Sequence, residues 1–174
     1  AVDEALAARF LARVGERLTV EDGWENAVEG ALGQLIEGVL VEAPEQLVEA
    51  LADLGEGRIA LVAEDTASAS FAPTSLAAKV QGPLAVRRLL ARLHAADDLA
   101  DARRLLPALG EGDSIIARAG ERLGEGWVRV SRQGAAKQGA LLREREIQSL
   151  RSAIEELQQR EAALEDRLVH LRDQ

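Results

Sequence analysis

The fold is decided by residues 18–41, which read LTVEDGWENAVEGALGQLIEGVLV. Asp22 can cap a helix in this stretch, and the side chain of Glu25 can reach back to it from three residues further on. Apolar residues recur from Trp24 to Leu35 at the i, i+3, i+4 and i+7 spacing of one helical face. A glycine and the apolar run 39–41 follow. The pattern therefore predicts a helix and then a buried strand.

Outward of this stretch, the tetrapeptide LGEG occurs three times, at residues 54–57, 109–112 and 123–126. Each of the first two copies follows a predicted helix, 43–50 or 95–102, and precedes a predicted strand, 58–62 or 114–117. This recurrence indicates two related halves. The alternative is that LGEG is only a helix stop, repeated by chance in a chain rich in Ala, Leu, Glu and Gly.

The segments between and after these halves carry weaker signals. Residues 66–83 are rich in Ser, Ala, Thr and Pro without a regular period, which predicts a connector. A short strand is predicted at Arg122 and Leu123. In residues 127–131, Val128 and Val130 alternate with the other side chains, which predicts a half-buried antiparallel strand.

Both ends of the chain carry the apolar spacing of coiled-coil helices. Val2, Leu6, Phe10 and Val14 lie four residues apart, which predicts an opening helix that ends near Gly15. A closing helix is predicted from about residue 140. Its apolar residues follow alternating three- and four-residue steps, with Glu161 as the exception; they are Ile147, Leu150, Ile154, Leu157, Leu164, Leu168 and Leu171.

Two pairings of these helices are open. The ends can pair antiparallel with each other, which leaves the distal leucines without a partner and implies a longer parent chain. The absence of Met and a start inside a predicted helix agree with an excerpt of such a parent. The alternative is a parallel homodimeric coil that the closing helix forms alone.

Composition excludes several classes of protein. The 174 residues are 47% hydrophobic, which is enough for a core, and the absence of Cys excludes disulfide scaffolds, thiolate metal sites and thiol nucleophiles. No apolar run approaches the roughly 20 residues of a membrane span, so we expect a soluble domain with no membrane partner. The net charge of −9 is uneven, because residues 17–65 hold twelve acidic and two basic side chains.

Neither a catalytic site nor a metal site is expected. The two histidines, His94 and His170, have no Cys or paired acids at ligand spacing. The acidic pairs at 21–22 and 97–98 stand where helices begin, which favours a role as helix caps. Each LGEG turn carries Glu between its glycines, which disfavours a bound phosphate.

One basic cluster is suited to a phosphate backbone. Residues 128–145 hold five basic side chains and one acidic one. Because the cluster includes no base-stacking aromatic, we expect binding that is independent of sequence and weakened by salt. The alternative is an ordinary solvated surface. The candidate DNA-binding residues are Arg129, Arg132, Lys137, Arg143 and Arg145.

Residues 18–33, followed by 39–41, closely resemble the start of the hinge domain of SMC (structural maintenance of chromosomes) proteins. That family carries an aromatic-Glu-x-Ala-Val-Glu-x-Ala-Leu-Gly run at this place. Gly57-Arg58, and Ser114-Ile115-Ile116 with Gly120-Glu121, resemble later steps of the same domain. The likeness covers about 18–132 and is nearest to the bacterial condensin type. The second half is shorter here, and 126–129 replace the family's glycine-rich run.

The resemblance implies an α+β fold, in which a head of two related α/β subdomains is flanked by an antiparallel coiled coil. The N-terminal arm would cover 1–16 and the C-terminal arm 139–174. Between them, a connector at 66–83 would join subdomain 1 at 17–65 to subdomain 2 at 84–132.

The resemblance also implies a function: the homodimerisation hinge of a chromosome-organising ATPase, active in chromosome condensation and segregation. Its partners would be a second copy and, weakly and without sequence preference, DNA, and its location the cytoplasm at the nucleoid. No cofactor is implied for this stretch, whereas ATP and Mg²⁺ are implied for the longer parent. The competing hypothesis is a cytoplasmic coiled-coil scaffold or adaptor that dimerises through the closing heptads and is unrelated to chromosomes.

Two stretches are candidate edges for strand addition between copies, because each offers backbone donors and apolar side chains. In the first half these residues are Arg58, Ile59, Ala60, Leu61 and Val62, and in the second half they are Trp127, Val128 and Val130.

Overall fold

The computed structural model of the chain describes residues 10–52, 57–65, 67–130 and 139–172. It divides into two compact units, Ala1–Leu141 and Leu142–Gln174. The first unit contains two lobes of similar construction, and the second consists of one helix.

The first lobe is built on a three-stranded sheet of order β1-β3-β4, in which β3 and β4 are parallel and β1 is antiparallel to β3. Its strands and α-helices are β1 (Ala12–Arg13), β2 (Thr19–Val20), α1 (Glu25–Leu32), β3 (Val39–Val41), α2 (Val48–Ala52) and β4 (Leu61–Ala63). Short 3₁₀ helices lie at Gly15–Arg17, Gly33–Glu37 and Pro44–Leu47.

The second lobe is built on a four-stranded sheet of order β6-β7-β8-β9, in which β6 and β7 are parallel and the other pairs antiparallel. Its elements are β5 (Val80–Gln81), α3 (Leu84–Leu90), β6 (Leu93–Ala96), α4 (Leu99–Leu105), β7 (Ser114–Ala117), β8 (Arg122–Gly124) and β9 (Trp127–Arg129). Its 3₁₀ helices lie at Leu76–Lys79 and Leu106–Ala108.

The two lobes repeat the same order of elements, so the interpretation of two related halves is confirmed. Each contains a 3₁₀ helix, a short strand and an α-helix, followed by a parallel strand-helix-strand unit. Ser75 bridges to His94 in β6 as Ala12 pairs with Leu40 in β3. The short strands β2 and β5 are equivalent in this repeat, and they pair with each other antiparallel. The two lobes are therefore connected by a pair of strands, β2 and β5, that occupy the same position in each lobe.

One hydrophobic core extends through both lobes. It includes Val14 and Leu40 from the first lobe and Leu90 and Ile116 from the second, each with at most 1% of its surface exposed. Burial of such a side chain contributes about 1.5–3 kcal/mol. A smaller cluster under α4 contains Ala96, Ala102, Ile115 and Leu123. The lobes therefore share one main hydrophobic core.

The predicted opening helix is wrong over the residues where it is described. Leu6 lies outside the described residues, while Phe10 is half-exposed and precedes β1 without helical structure. The N–H of Val14 donates to the Gly38 carbonyl at 2.9 Å, and its side chain is fully buried. The four-residue spacing predicted Val14 on a coiled-coil helix, but the residue belongs to the hydrophobic core.

Three other element predictions are corrected by strand pairing. The strand predicted at 58–62 begins only at Leu61, because its partner β3 begins opposite that residue, at Val39. The helix predicted at 95–102 is shorter, since its first residues belong to β6. The predicted connector 66–83 contains a 3₁₀ helix and β5, with Leu76 fully buried. The subdomain boundaries themselves stay predictions.

Helix α1 begins without the predicted cap by Asp22. Its N-cap residue is Trp24, whose side chain makes no capping hydrogen bond. The Glu25 carboxylate does reach back, but it accepts the N–H of Gly23 at 2.8 Å. The cap predicted at 97–98 is confirmed, since the Asp98 carboxylate accepts the first-turn N–H of Asp101 at 2.7 Å.

The closing helix is present as α5 (Ala140–Arg172), as predicted. The heptad side chains described on it are 42–61% exposed; they are Ile147, Leu150, Ile154, Leu157 and Leu164. Side chains of Leu168 and Leu171 lie outside the described part of the chain. The pairing of this helix with the opening arm stays a prediction.

Candidate functional site

Among the described residues, no strand pairs with the outer side of β4, so the first sheet ends there with an open edge. On its inner side, the Val39 N–H donates to the Ala60 carbonyl at 2.8 Å and the Glu64 N–H to the Val41 carbonyl at 2.9 Å. Successive residues of a strand turn their backbone groups to opposite sides. Leu61 and Ala63 therefore present their N–H and C=O groups to the open edge, as a second strand requires.

Strand β9 ends the second sheet in the same way. A two-residue turn, 125–126, joins it to β8, with Gly126 at φ +76°. The Ala117 N–H bonds to the Glu121 carbonyl, so by alternation Leu123 directs its backbone groups to β7. Val128 lies opposite Leu123 and therefore presents its own groups to the open edge.

The side chains along β9 do not form the half-buried strand that was predicted. Trp127, Val128 and Val130 are 43%, 64% and 51% exposed. Val130 follows the strand's last residue, Arg129. An open edge flanked by exposed apolar side chains is a surface on which another strand can add.

A cleft of about 360 Å³ lies at the amino ends of β3 and β4. The segment Arg58–Ala60, predicted as part of the strand, forms one of its walls instead. Residues on the opposite wall are Gln34, Glu37, Gly38 and Val39. The cleft therefore lies between the segments that lead into β3 and into β4, with both apolar and charged residues in its lining.

One face of the β8–β9 hairpin combines an indole ring with two guanidinium groups. Trp127 lies against Gly124, where an added methyl group would overlap its ring. The guanidinium of Arg122 lies 5.5 Å from the Trp127 ring centroid and donates to the Ser114 hydroxyl at 2.9 Å. Arg129 is directly opposite Arg122. The aromatic ring that the structure places here contacts Arg122, which lies outside the predicted basic cluster.

The predicted DNA-binding residues are only partly described, and they are not shown as one cluster. Arg129 lies on β9, whereas Arg143 and Arg145 belong to α5 in the other unit. Arg132 and Lys137 lie outside the described residues. Arg122 joins Arg129 but was not predicted, because only the register of the hairpin brings the two together.

A second group that the sequence did not indicate surrounds Trp24, whose side chain is 3% exposed. Arg118 and Lys79, both from the second lobe, lie 4.7 and 5.7 Å from its ring. Lys79 also pairs with Glu21 at 3.0 Å, and Arg118 with Asp97 at 2.8 Å. These contacts clamp α1 of the first lobe to the second lobe.

His94 contacts one carboxylate, that of Asp113, and this carboxylate is shared with an arginine. Its Nε2 lies 3.3 Å from Asp113, which also accepts a hydrogen bond from Arg92 at 2.8 Å. Arg92, and after it His94, hold the pKa of Asp113 below its usual range. Within the described ranges, no group of three or more His, Cys, Asp or Glu is arranged to hold a metal ion.

The first turn of α5 is capped by a distant side chain. The Glu29 carboxylate on α1 accepts the N–H of Leu141 at 2.6 Å. Leu141 is 5% exposed and belongs to the main core. A methyl group at Gly139 would overlap the same carboxylate. Since both partners lie in the Ala1–Leu141 unit, this contact anchors the start of the helix in that unit.

Comparison with known families agrees with the resemblance in the sequence. Residues 7–106, more than half of the chain, match the family model of the SMC proteins flexible hinge domain. This chain belongs to the SMC hinge family. Chromosome partition protein Smc of Xanthomonas oryzae pv. oryzae is 76% identical over 146 residues, which are 84% of this chain. The protein of the same name from Coxiella burnetii is 38% identical over 146 residues, or 82% of this chain.

These relatives are much longer than the SMC hinge chain, which spans 12% of the length of each.

Two solved structures share its fold. An asymmetric dimer of the Geobacillus stearothermophilus SMC hinge domain has a TM-score of 0.66 and 22% identity, over 94% of this chain and 76% of that one. The Pyrococcus furiosus SMC hinge domain has a TM-score of 0.52 and 15% identity, over 80% and 81%. The α+β fold predicted from the resemblance is confirmed.

Among the helices that the structure describes, none combines the length and the apolar character needed to cross a membrane.

Proposed function

We propose that this SMC hinge is the homodimerisation domain of a chromosome-organising ATPase that acts in chromosome condensation and segregation. The observation that carries the proposal is the pair of open sheet edges, β4 and β9, each flanked by apolar side chains that the chain itself leaves exposed or half-exposed. The name chromosome partition protein, carried by the similar proteins, supports the chromosomal role.

In the proposed dimer, β9 of each copy adds to β4 of the other. Every copy carries one β4 edge and one β9 edge, so a two-fold arrangement pairs both of these edges in both copies. Val128 and Val130 then supply backbone groups opposite those of Leu61 and Ala63. The apolar side chains beside β9 lose their exposure in the same step, which provides the driving force.

Light scattering at micromolar concentration tests this proposal. We expect a mass of about 37 kDa, twice the 18.6 kDa of one copy. A matched variant without residues 147–174 should remain a dimer, with twice the mass of its own shortened chain, whereas Leu61→Pro, which removes an outward N–H, should give a monomer. A monomeric wild-type chain contradicts the proposal. The reverse pattern favours the competing scaffold, which would dimerise through the exposed heptads of α5.

We also propose weak DNA binding without sequence preference, with Arg129, Arg132, Lys137, Arg143 and Arg145 as the binding residues. The exposed guanidinium of Arg129, with Trp127 and Arg122 on the same hairpin face, supports this second activity. Binding of a labelled duplex should fall steeply with salt. Charge reversal at Arg129, Arg132 and Lys137 should weaken binding at low salt, and unchanged affinity would contradict the idea.

The remaining proposals concern the longer parent. We propose that it works in the cytoplasm at the nucleoid and that its ATPase parts, rather than this hinge, use ATP and Mg²⁺. The glycine turn 110–112 does not fit a nucleotide phosphate, because the Arg92 guanidinium already donates to its Glu111 carbonyl and the turn leads into β7 rather than into a helix. An ATP-binding assay on this chain should therefore give no signal.

A further inference from the structure

The β8–β9 hairpin holds two positive charges in an unfavourable arrangement. Arg122 and Arg129 are directly opposite each other on neighbouring strands, where like charges repel. In the part of the chain that the structure describes, neither is paired with a carboxylate. An anion between the two guanidinium groups would turn this repulsion into attraction.

The surroundings of the pair are shaped for such an anion. The Ser114 hydroxyl, in a residue only 3% exposed, fixes the Arg122 guanidinium through its Nε–H. The ring of Trp127 forms a wall beside that guanidinium. Burial, and after it the charge of Arg129, lower the pKa of Arg122. Arg129 itself is exposed and extends the site towards the open edge. Two neighbouring guanidinium groups suit the two oxygens of a carboxylate.

A suitable carboxylate lines the cleft at the amino ends of β3 and β4. Glu37 is exposed, lines the cleft next to Arg58–Ala60, and has no ion pair among the described residues. The two acids that follow β4 already have partners, since Glu64 pairs with Arg17 at 3.4 Å and Asp65 accepts the Ala67 N–H at 2.8 Å. The first lobe as a whole is acidic, with a net charge of −10 over residues 17–65, from twelve acidic and two basic side chains.

We infer that Arg122 and Arg129 bind a carboxylate of the second copy, and that Glu37 of the partner subunit supplies it. This inference rests on the proposed pairing of β9 with β4. The contact would select the acidic lobe as the partner of the basic hairpin, because two hairpins facing each other would bring four guanidinium groups together. The contact would therefore determine which sheet edges pair between the copies as well as the affinity of the dimer.

Sedimentation of the full chain at several salt concentrations tests the inference. Arg129→Glu should weaken dimerisation by at least about tenfold at low salt. The matched control, Arg103→Glu on α4, makes the same change of charge at an exposed position and should stay within about threefold of the wild type. An equimolar mixture of Arg129→Glu and Glu37→Arg chains should recover the dimer, because both contacts of the mixed dimer then join opposite charges.

The outcomes separate this inference from the function on which it rests. If Arg129→Glu dimerises like the wild type while Leu61→Pro is monomeric, the edge pairing stands and the carboxylate contact is overturned. If neither substitution changes the dimer, the proposed edge pairing falls as well. A mixture without recovery overturns Glu37 as the partner. If Arg129→Glu loses only the binding of labelled DNA, the ligand is a phosphate group, and the inference is again overturned.

Discussion

The cap at the start of α5 allows a quantitative prediction for Glu29→Ala. This substitution removes the hydrogen bond to the Leu141 N–H, 2.6 Å long and partly buried, and a negative charge at a helix N-terminus. Loss of a cap typically costs about 1 kcal/mol, and the charge at the helix dipole adds about 0.3–1 kcal/mol. We therefore expect a loss of about 1–2 kcal/mol in the free energy of unfolding.

Gly139→Ala should damage the same contact from the other side. Its new methyl group would overlap the Glu29 carboxylate, which lies at the flexible end of a side chain and can rotate away. The cost is then the lost cap, offset by about 0.4–1 kcal/mol from the less flexible unfolded chain. In the Glu29→Ala background there is no carboxylate to displace, so the second substitution should cost nothing or stabilise. The two changes should thus be coupled by about 1 kcal/mol.

Urea denaturation at one fixed protein concentration, followed by the fluorescence of the two tryptophans, measures all four proteins of this cycle. Glu155→Ala, an exposed position further along α5, is the control and should stay within about 0.5 kcal/mol of the wild type. If the double variant loses as much stability as the two single variants together, the reasoning is refuted, because Gly139 and Glu29 then do not share one contact.

Three further predictions concern the core, the contacts of Trp24 and the charge of Asp113. Ile116→Ala should cost about 2–5 kcal/mol in urea denaturation, because Ile116 is fully buried between the lobes; a cost below about 1 kcal/mol would contradict its place in the core. Trp24→Ala should cost about 3–5 kcal/mol, but Trp24→Phe much less, since the buried indole N–H has no hydrogen-bond partner among the described residues; equal costs would contradict that difference. The lowered pKa of Asp113 means that its charge stabilises the fold above about pH 4, the usual unfolded value, and that this stabilisation disappears as pH falls through the lower folded pKa. Urea midpoints of Asp113→Asn between pH 2 and 6 should therefore depend less on pH than those of the wild type, and an unchanged acid dependence would rule out this role.

The parts of the fold that the sequence predicted correctly are those with strong local signals. The helical spacing within 18–41 and the apolar run of β3 are local patterns, and both elements are present. The glycine turn at 119–120 and the hairpin that follows it are local as well. The recurrence of LGEG indicated the two halves, because each of the first two copies follows a predicted helix and precedes a predicted strand.

The errors lie where distant residues decide the structure. Strand β6, Leu93-His94-Ala95-Ala96, contains two alanines and no β-branched residue, so its own sequence favours a helix, and only pairing with β7 makes it a strand. The apolar side chain of Val14 is compatible both with a coiled-coil helix and with a hydrophobic core, and the local sequence does not distinguish the two. β5 is too short to show a period, and it exists through pairing with β2, about sixty residues earlier.

The candidate site was predicted in outline and corrected in detail. Both edge strands were named from the sequence, because short apolar stretches suited to strand addition can be recognised there. The outward direction of the Leu61 and Val128 backbone groups follows only from the register of β4 and of β9 with their neighbours. The pairing of Arg122 with Arg129, and the contact of Trp127 with Gly124, depend on the same register and could not be predicted residue by residue.

Cysteine cross-linking tests the central claim most directly, because the chain contains no cysteine of its own. Val128→Cys chains should be mixed with chains carrying Cys in place of Ile59, Leu61 or Ala63 and then oxidised gently. Disulfides form only when two Cα atoms lie about 4.4–6.8 Å apart. We predict a covalent dimer of about 37 kDa, twice 18.6 kDa, in at least one mixture and in none of the four variants alone. Cross-linking of Val128→Cys with itself, or of no mixture, would contradict the pairing of β9 with β4.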